Sequence, residues 1–235
     1  MDYPFLSETI LFEGIHAAEI ENLFSCLSAE IKQFTKGDII YHIGDIIHSL
    51  GLVLSGNVQI ENDDIWGNKN ILDSIGPGLV FGETYACIPN EPIMVTVTAT
   101  ENSEILFLNI NNLLKLCSNT CTYHTQIIHN LLTISAKKNI NLSRRIFHTS
   151  SKTIRGRLLS YLSFQVVQQN SLQFTIPFNR QQLADYLSVD RSALSNELSK
   201  MQREGLLTVS KNSFCLSDTL FHTHLTPYPI LPEFP

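Results

Sequence analysis

Residues 180–205 read RQQLADYLSVDRSALSNELSKMQREG, and the spacing of their apolar residues decides the fold of the C-terminal third. Leu183, Ala184 and Leu187 fall on one helical face; the beat falters over Ser188-Val189-Asp190 and restarts at Leu194, Leu198 and Met201. Apolar residues three and four apart mark amphipathic helices, so two short helices meet at a tight joint. Asn179 stands three residues before Gln182, the spacing of a capping box, and Asp190 is placed to cap the second helix. After Gly205, LLTVSKNSFCL has two β-rich halves about Lys211-Asn212, a hairpin signal. Two short helices and a hairpin wing compose a winged helix-turn-helix.

In that arrangement the second helix presents its N-terminal residues to the major groove while the first crosses the backbone. Arg191, Ser192, Ser195, Asn196 and Ser199 lie opposite Leu194, Leu198 and Met201. Arginine bonds guanine bidentately, asparagine bonds adenine, and serine serves either base or phosphate. Arg180 and Gln181 at the start of the first helix and Lys211 at the hairpin tip complete the candidate DNA contacts. A plain helical hairpin with a solvated face shows the same alternation, so the pattern alone leaves both readings open.

Charge distribution leans toward nucleic acid although the formal net charge is −6. Residues 151–216 carry eight bases (Lys152, Arg155, Arg157, Arg180, Arg191, Lys200, Arg203, Lys211) against four acids (Asp185, Asp190, Glu197, Glu204). The excess is modest and has the sign a phosphate-binding module needs; a mixed-charge solvated surface has it too. With 43% hydrophobic and 16% charged residues, the 235-residue chain can core one large or two small domains. No apolar run approaches ~18 residues, so no membrane span is expected. The start, MDYPFLSETILFEG, has acids where a secretory signal wants bases. Five scattered cysteines (Cys26, Cys87, Cys117, Cys121, Cys215) form no paired framework and fit reduced thiols in a cytoplasm.

Upstream, IHAAEIENLFSCL has helical spacing. From Phe34 to about Leu108, short β-rich runs (DIIYHI, GLVLSG, NVQIEN, NILDSI, LVFGE, MVTVTA, EILFLN) alternate with Gly, Pro and Asn-Asp punctuation. This predicts a small antiparallel barrel or sandwich. INNLLKLC reads as a short helix, and residues 120–147 as a long one with two apolar stripes. Ile127, Leu131 and Ile134 make one stripe; Ile128, Leu132, Leu142 and Ile146 make the other. A helix apolar on two faces must bury both. One face suits its own barrel and the other the same helix of a second subunit, the alternative being a helix buried within a monomer. HTSSKT (148–153) reads as a hinge or cap, about 152–168 as a further helix, and LQFTIPF as a short strand. The proline-rich end reads as a tail.

Taken in order, FTKGDIIYHIGD, LGLVLSGNVQI, ILDSIGPGLVFGE and NRQQLADYLSVDRSALSNELSKMQREGLL resemble the bacterial Crp/Fnr family of transcription regulators over about residues 10–216. The resemblance implies an α+β fold: an N-terminal antiparallel jelly-roll barrel like a cyclic-nucleotide-binding domain, a long dimerisation helix, and a C-terminal winged helix-turn-helix. The expected division is 1–119 for the sensor, 120–147 for the dimerisation helix, 148–218 for the DNA-binding domain and 219–235 for the tail. Implied partners are double-stranded DNA, a second copy of the chain, RNA polymerase and a small-molecule effector; membrane contact is not implied. Two departures stand out. The family often has Glu directly after the recognition-helix Arg and Arg four residues further on, where this chain has Ser192 and Asn196. Glu197 also occupies a position usually apolar.

The effector is less legible. In the cyclic-nucleotide-binding members an FGE motif opens the phosphate cassette, its Glu holds the ribose, and an Arg about ten residues later holds the phosphate. Phe81-Gly82-Glu83 matches, but Ile93 and Met94 stand near the arginine position, and no Arg precedes Arg144. A buried phosphate without its guanidinium loses a strong charge-assisted pair, so cyclic AMP is not expected, and Glu83 reads as a turn-capping residue. An iron–sulfur cluster is not expected either, because Cys26 is the only cysteine before the barrel. Haem remains a candidate: His42, His48, Met94, His124 and His129 are of axial-ligand type, though no spacing singles one out. Cys117 and Cys121, a helical turn apart with His124 beyond, have a metal- or redox-sensing spacing that buried cysteines share. Phe81, Gly82, Glu83, Met94, Tyr123 and Ile127 are the effector-pocket candidates; no metal site is assigned. For catalysis, GLVLSGN lacks the phosphate lysine of a P-loop, G-x-S-x-G and H-E-x-x-H are absent, and His222-x-His224 is a weak metal pair at most. No enzyme is expected.

Overall fold

The structure, a computed structural model, describes residues 2–63, 69–114 and 122–217. It divides into two compact units, Met1–Lys137 and Lys138–Pro235. The first opens with helices α1 (Tyr3–Glu8) and α2 (Ala17–Leu27). Asp2 caps α1 by accepting from the Phe5 N–H at 3.0 Å, and Pro4 sits in its first turn, where no amide partner is needed.

Eight strands follow: β1 (Glu30–Phe34), β2 (Ile39–Tyr41), β3 (Ser49–Ser55), β4 (Val58–Asp63), β5 (Lys69–Ile75), β6 (Val80–Phe81), β7 (Thr96–Ala99) and β8 (Ser103–Asn109). A one-turn helix α3 (Glu83–Ala86) lies between β6 and β7, and α4 (Ile110–Leu114) follows β8. The strands form two four-stranded antiparallel sheets, β1-β8-β3-β6 and β2-β7-β4-β5. Leu52 faces Leu106 across β3 and β8, and Val58 faces Ala99 across β4 and β7. Strand β7 alternates half-buried and buried residues, as a strand with one core face does. Strand β3 is buried at four consecutive positions, so both its faces are covered. Leu6, Phe12, Ile20 and Leu23 of the N-terminal segment join the same core. The barrel starts earlier than its sequence texture suggests. Strand β1 is largely exposed and polar, EIKQF, and carries no alternation to read.

Helix α5 (Thr122–Thr149) places Ile127, Leu131 and Ile134 in the core of the first unit. Asn130 anchors it there, donating to the carbonyls of Leu11 at 3.0 Å and Glu13 at 2.8 Å. The other stripe is uncovered: Ile128, Leu132, Leu142 and Ile146 are exposed, Leu132 at 68% and Ile146 at 69%.

The second unit contains α6 (Ile154–Gln169), β9 (Gln173–Thr175), α7 (Arg180–Tyr186), α8 (Arg191–Arg203), β10 (Leu207–Ser210) and β11 (Ser213–Leu216). Strands β10-β11-β9 make an antiparallel sheet in which Phe214 stacks on Phe174, centroids 6.0 Å apart. Leu158, Leu162, Leu183, Leu194, Leu198 and Met201 form the core between helices and wing. The expected connection 148–153 is shorter than read. His148 and Thr149 are helical, because His148 is buried against Tyr161 and Phe164 and holds α5 in register for a further half-turn. Thr153 then caps α6, accepting from the Gly156 N–H at 3.0 Å. Cys117, Cys121 and the expected tail with His222 and His224 lie outside the described residues. Among the described residues no helix is long and apolar enough to cross a membrane.

Candidate nucleic-acid interface and sensor site

A seven-residue helix such as α7 cannot satisfy its own ends, since about four groups at each terminus lack intrahelical partners. Asn179 and Gln182 close the N-terminus reciprocally, the Gln182 N–H reaching Asn179 Oδ1 at 3.0 Å and the Asn179 N–H reaching Gln182 Oε1 at 2.8 Å. At the other end, Arg145 of α5 donates to the carbonyls of Asp185 at 3.0 Å and Tyr186 at 3.2 Å. Arg157 of α6 donates to Leu187 and Ser188 at 3.0 and 2.8 Å. The joint is therefore held by two arginines from other helices. Ser188 turns the chain there with φ +54°, a left-handed conformation costly for a residue with a Cβ.

Asp190 starts α8 by accepting from the Ala193 N–H at 2.9 Å and from the Ser192 hydroxyl. Those bonds hold its carboxyl below the usual aspartate range. Ser192 is thus engaged in capping, and the Ser199 hydroxyl donates to the Ser195 carbonyl at 2.9 Å. Arg191 and Asn196 are exposed, and no side-chain bond engages either among the described residues. Ser195 stands half-buried beside them.

Glu197 points the other way. Its carboxylate accepts from Arg155 Nε of α6 at 2.5 Å, while Glu204 takes the other two guanidinium nitrogens at 2.8 and 3.0 Å. Arg155 holds the Glu204 carboxyl below the usual range, and the two carboxylates raise Arg155 further. The acid at a usually apolar position is therefore one half of a clamp between α6 and α8. Of the eight bases read as a phosphate-facing excess, Arg155 and Arg157 are spent inside the unit. Apart from the Ser151 carbonyl, six residues from Arg157, their partners lie 30 to 49 residues away in sequence, so only the misplaced charge of Glu197 could have signalled those.

Gln181 bonds Asp185 along α7 at 2.8 Å. Arg180 and Lys211 line one cleft of about 440 Å³ with Phe178, Asn179 and Asn212. Lys211 is exposed at the wing tip, and Arg180 is half-buried, which lowers its pKa from the ordinary arginine value.

The sensor candidates fall into different environments. Phe81 is fully buried, edge-on to Tyr41 and Phe107, and its ring fills the space that a Cβ on Gly51 would need, at 2.3 Å. Gly82 has φ +75° at the start of α3, where a side chain would be strained and would crowd Ile47 at 3.1 Å. Glu83 is buried in the first position of that turn. Ile127 is core, and Tyr123 is bonded through its hydroxyl to Glu19 of α2. Met94 is 63% exposed, whereas its neighbour Ile93 is buried. A cleft of about 590 Å³ in this unit is lined by other residues, among them Phe34, Tyr41, Asp45, His48 and Phe107. Of the haem-ligand types, His42, His48 and His129 are exposed, and His124 is buried with Nδ1 unpartnered among the described residues. No cluster of three or more His, Cys, Asp or Glu side chains suited to a metal occurs among the described residues.

These arrangements match known proteins along the chain. Residues 31–120 match the cyclic nucleotide-binding domain family, and residues 156–219 the Crp-like helix-turn-helix domain family. The cyclic AMP receptor protein of Thermus thermophilus is 24% identical over 197 residues, 84% of this chain and 87% of that one. A CRP-like cAMP-activated global transcriptional regulator of Mycobacterium tuberculosis is 21% identical over 215 residues, covering 91% and 95%. The solved structure of the c-di-GMP responsive global regulator CLP of Xanthomonas campestris superposes with a TM-score of 0.56 at 18% identity, over 85% of this chain and 98% of that one. With domains of these two families in this order, the chain belongs to the Crp/Fnr family of transcription regulators.

Proposed function

We propose that this Crp-like regulator binds an inverted-repeat operator as a homodimer, under control of a small-molecule effector at the β-barrel other than cyclic AMP, and acts together with RNA polymerase. The observation that carries the reading is the state of α8: its joint is capped and clamped, and Arg191 and Asn196 remain uncommitted on its free face. Arg191, Ser195 and Asn196 are then the base readers. Ser192 and Ser199 support them, and Arg180, Gln181 and Lys211 serve the phosphates.

Dimerisation is supported by the uncovered side of α5. Ile128, Leu132, Ser135, Asn139, Leu142 and Ile146 follow one another at spacings alternating between four and three, and all six are exposed. That is a heptad seam with apolar ends and a polar middle, where an asparagine favours one register. Two recognition helices related by a two-fold axis enter major grooves about one helical turn, ~34 Å, apart. The operator is then an inverted repeat with half-site centres about ten base pairs apart, or a multiple of that.

Two relatives are named for cyclic AMP. In this chain buried Ile93 and exposed Met94 stand near the position of the family's phosphate arginine, and neither side chain can pair with an anion. Calorimetry should show no micromolar binding of cyclic AMP that also tightens DNA binding. A Soret band in freshly purified protein would instead assign haem.

Selection from random DNA tests the main reading. Recovery of an inverted repeat supports it. Recovery of none, with protein taken directly from cells so that its effector is retained, replaces it with a ligand-binding or interaction module lacking DNA reading.

A further inference from the structure

We propose that the reading unit holds a small-molecule site of its own, a cleft that takes a planar aromatic carboxylate of one or two rings. The cleft, about 310 Å³, is bounded by Arg144 of α5, by Tyr161, Phe164 and Gln168 of α6, and by Phe178 and Tyr186 at the entry and end of α7. All of its lining residues belong to the second unit, and none belongs to α8.

Three observations converge on it. The first is the wall. Tyr161, Phe178 and Tyr186 lie with centroids 5.0 to 6.0 Å apart, their rings tilted by 31 to 59°, and half-buried Phe178 and Tyr186 give the cleft an aromatic wall against which a π-system can pack. The second is a hydroxyl with nothing to bond. Tyr161 is 3% exposed, and its Oη has no partner among the described residues. A buried phenol left unpaired costs more than phenylalanine in the same place, and because this hydroxyl is closed to solvent beneath the wall, a guest's acceptor pairs with it by parting the rings.

The third is an unspent cation. Arg144 lies over the Phe164 ring at 5.0 Å, and among the described residues its one hydrogen bond to a side chain is a long one, 3.4 Å, to Asn141. No carboxylate pairs with it among the described residues. A guanidinium beside an aromatic wall takes a carboxylate whose ring covers the wall. The volume is at the small end of ligand pockets, which limits the guest to one or two rings. Tyr186 also contributes the carbonyl that Arg145 caps, so a guest in the cleft touches the residue that ends the first reading helix.

The chain's seven tyrosines make the test. Full-length protein labelled with 3-fluorotyrosine is titrated with indole-3-carboxylate and followed by fluorine NMR, with lines assigned by single Tyr→Phe variants. The Tyr161 and Tyr186 lines should shift saturably at millimolar ligand or below, and Tyr3, Tyr41, Tyr85 and Tyr123 in the sensor unit should stay. Arg144→Gln, a change at an exposed position, should weaken the titration about tenfold. Uncharged indole should bind more weakly than the carboxylate. The site is refuted if the Tyr161 and Tyr186 lines stay still, if only sensor tyrosines respond, or if Arg144→Gln titrates like the parent protein. A failure of operator selection leaves this titration unaffected, so the two readings fall separately.

Discussion

Helices α5 and α8 each bury one face and leave the other uncovered, and the chemistry of the uncovered faces differs. On α5 the buried stripe is Ile127, Leu131 and Ile134, and the free one has isoleucines and leucines at both ends. On α8 the buried stripe is Leu194, Leu198 and Met201, and the free one carries Arg191, Ser195 and Asn196. An apolar free face gains by leaving water, which a second protein surface allows. A face of arginine and asparagine stays solvated until it meets groups that accept and donate at matching positions, as base edges do. The same amphipathic rule thus predicts two different partners.

The largest expected effect tests the α5 half of that contrast. Ile128→Glu combined with Leu132→Glu places charge in the proposed dimer seam and should give monomers in sedimentation. DNA binding should fall by about a hundredfold or more, because two linked half-site contacts become independent. A wild type that is itself monomeric at micromolar concentration would break the comparison. Next is Arg191→Ala, expected to cost about 1–3 kcal/mol and to relax preference at one position per half-site if the side chain bonds a base edge. A uniform loss across sequences, with the salt slope reduced by about one, would move Arg191 to the phosphates.

A smaller effect is expected at the back of α8. Arg155→Gln should lower the ratio of operator to random-DNA affinity about three- to tenfold, since a partly exposed ion cluster contributes modestly and acts here through the helix angle. The salt slope should not change, because Arg155 faces Glu197 and Glu204 rather than DNA.

His148 provides a test by pH. Burial and the Arg144 cation lower its pKa below the ordinary histidine value of 6.5. The unfolded chain therefore takes up a proton that the folded one refuses, so stability should decline as pH falls below about 6.5 and level off once the folded form is protonated. Thermal unfolding across pH 5 to 8 should show this decline flattened in His148→Phe. The smallest change is Ser188→Gly, which should stabilise the protein by about 1 kcal/mol by relieving the left-handed turn and leave DNA affinity as it was.

Periodicity by itself determined the two short helices, their caps at Asn179 and Asp190, the wing about Lys211-Asn212, the barrel's strand texture and both stripes of α5. Each is written in neighbouring residues, where side-chain spacing and backbone capping act over one or two turns. Tertiary structure alone decided the rest. It showed that β1 is a strand, because pairing with β8 rather than any alternation makes it one. It turned Glu197 from a departure into the partner of Arg155, and it committed Arg145 and Arg157 to the joint between the reading helices. It also scattered the sensor candidates, with Phe81 and Ile127 in the core and Met94 in solvent. Those outcomes depend on groups 30 or more residues apart meeting in space, and a linear spacing carries no record of which distant carbonyl or carboxylate a guanidinium will find.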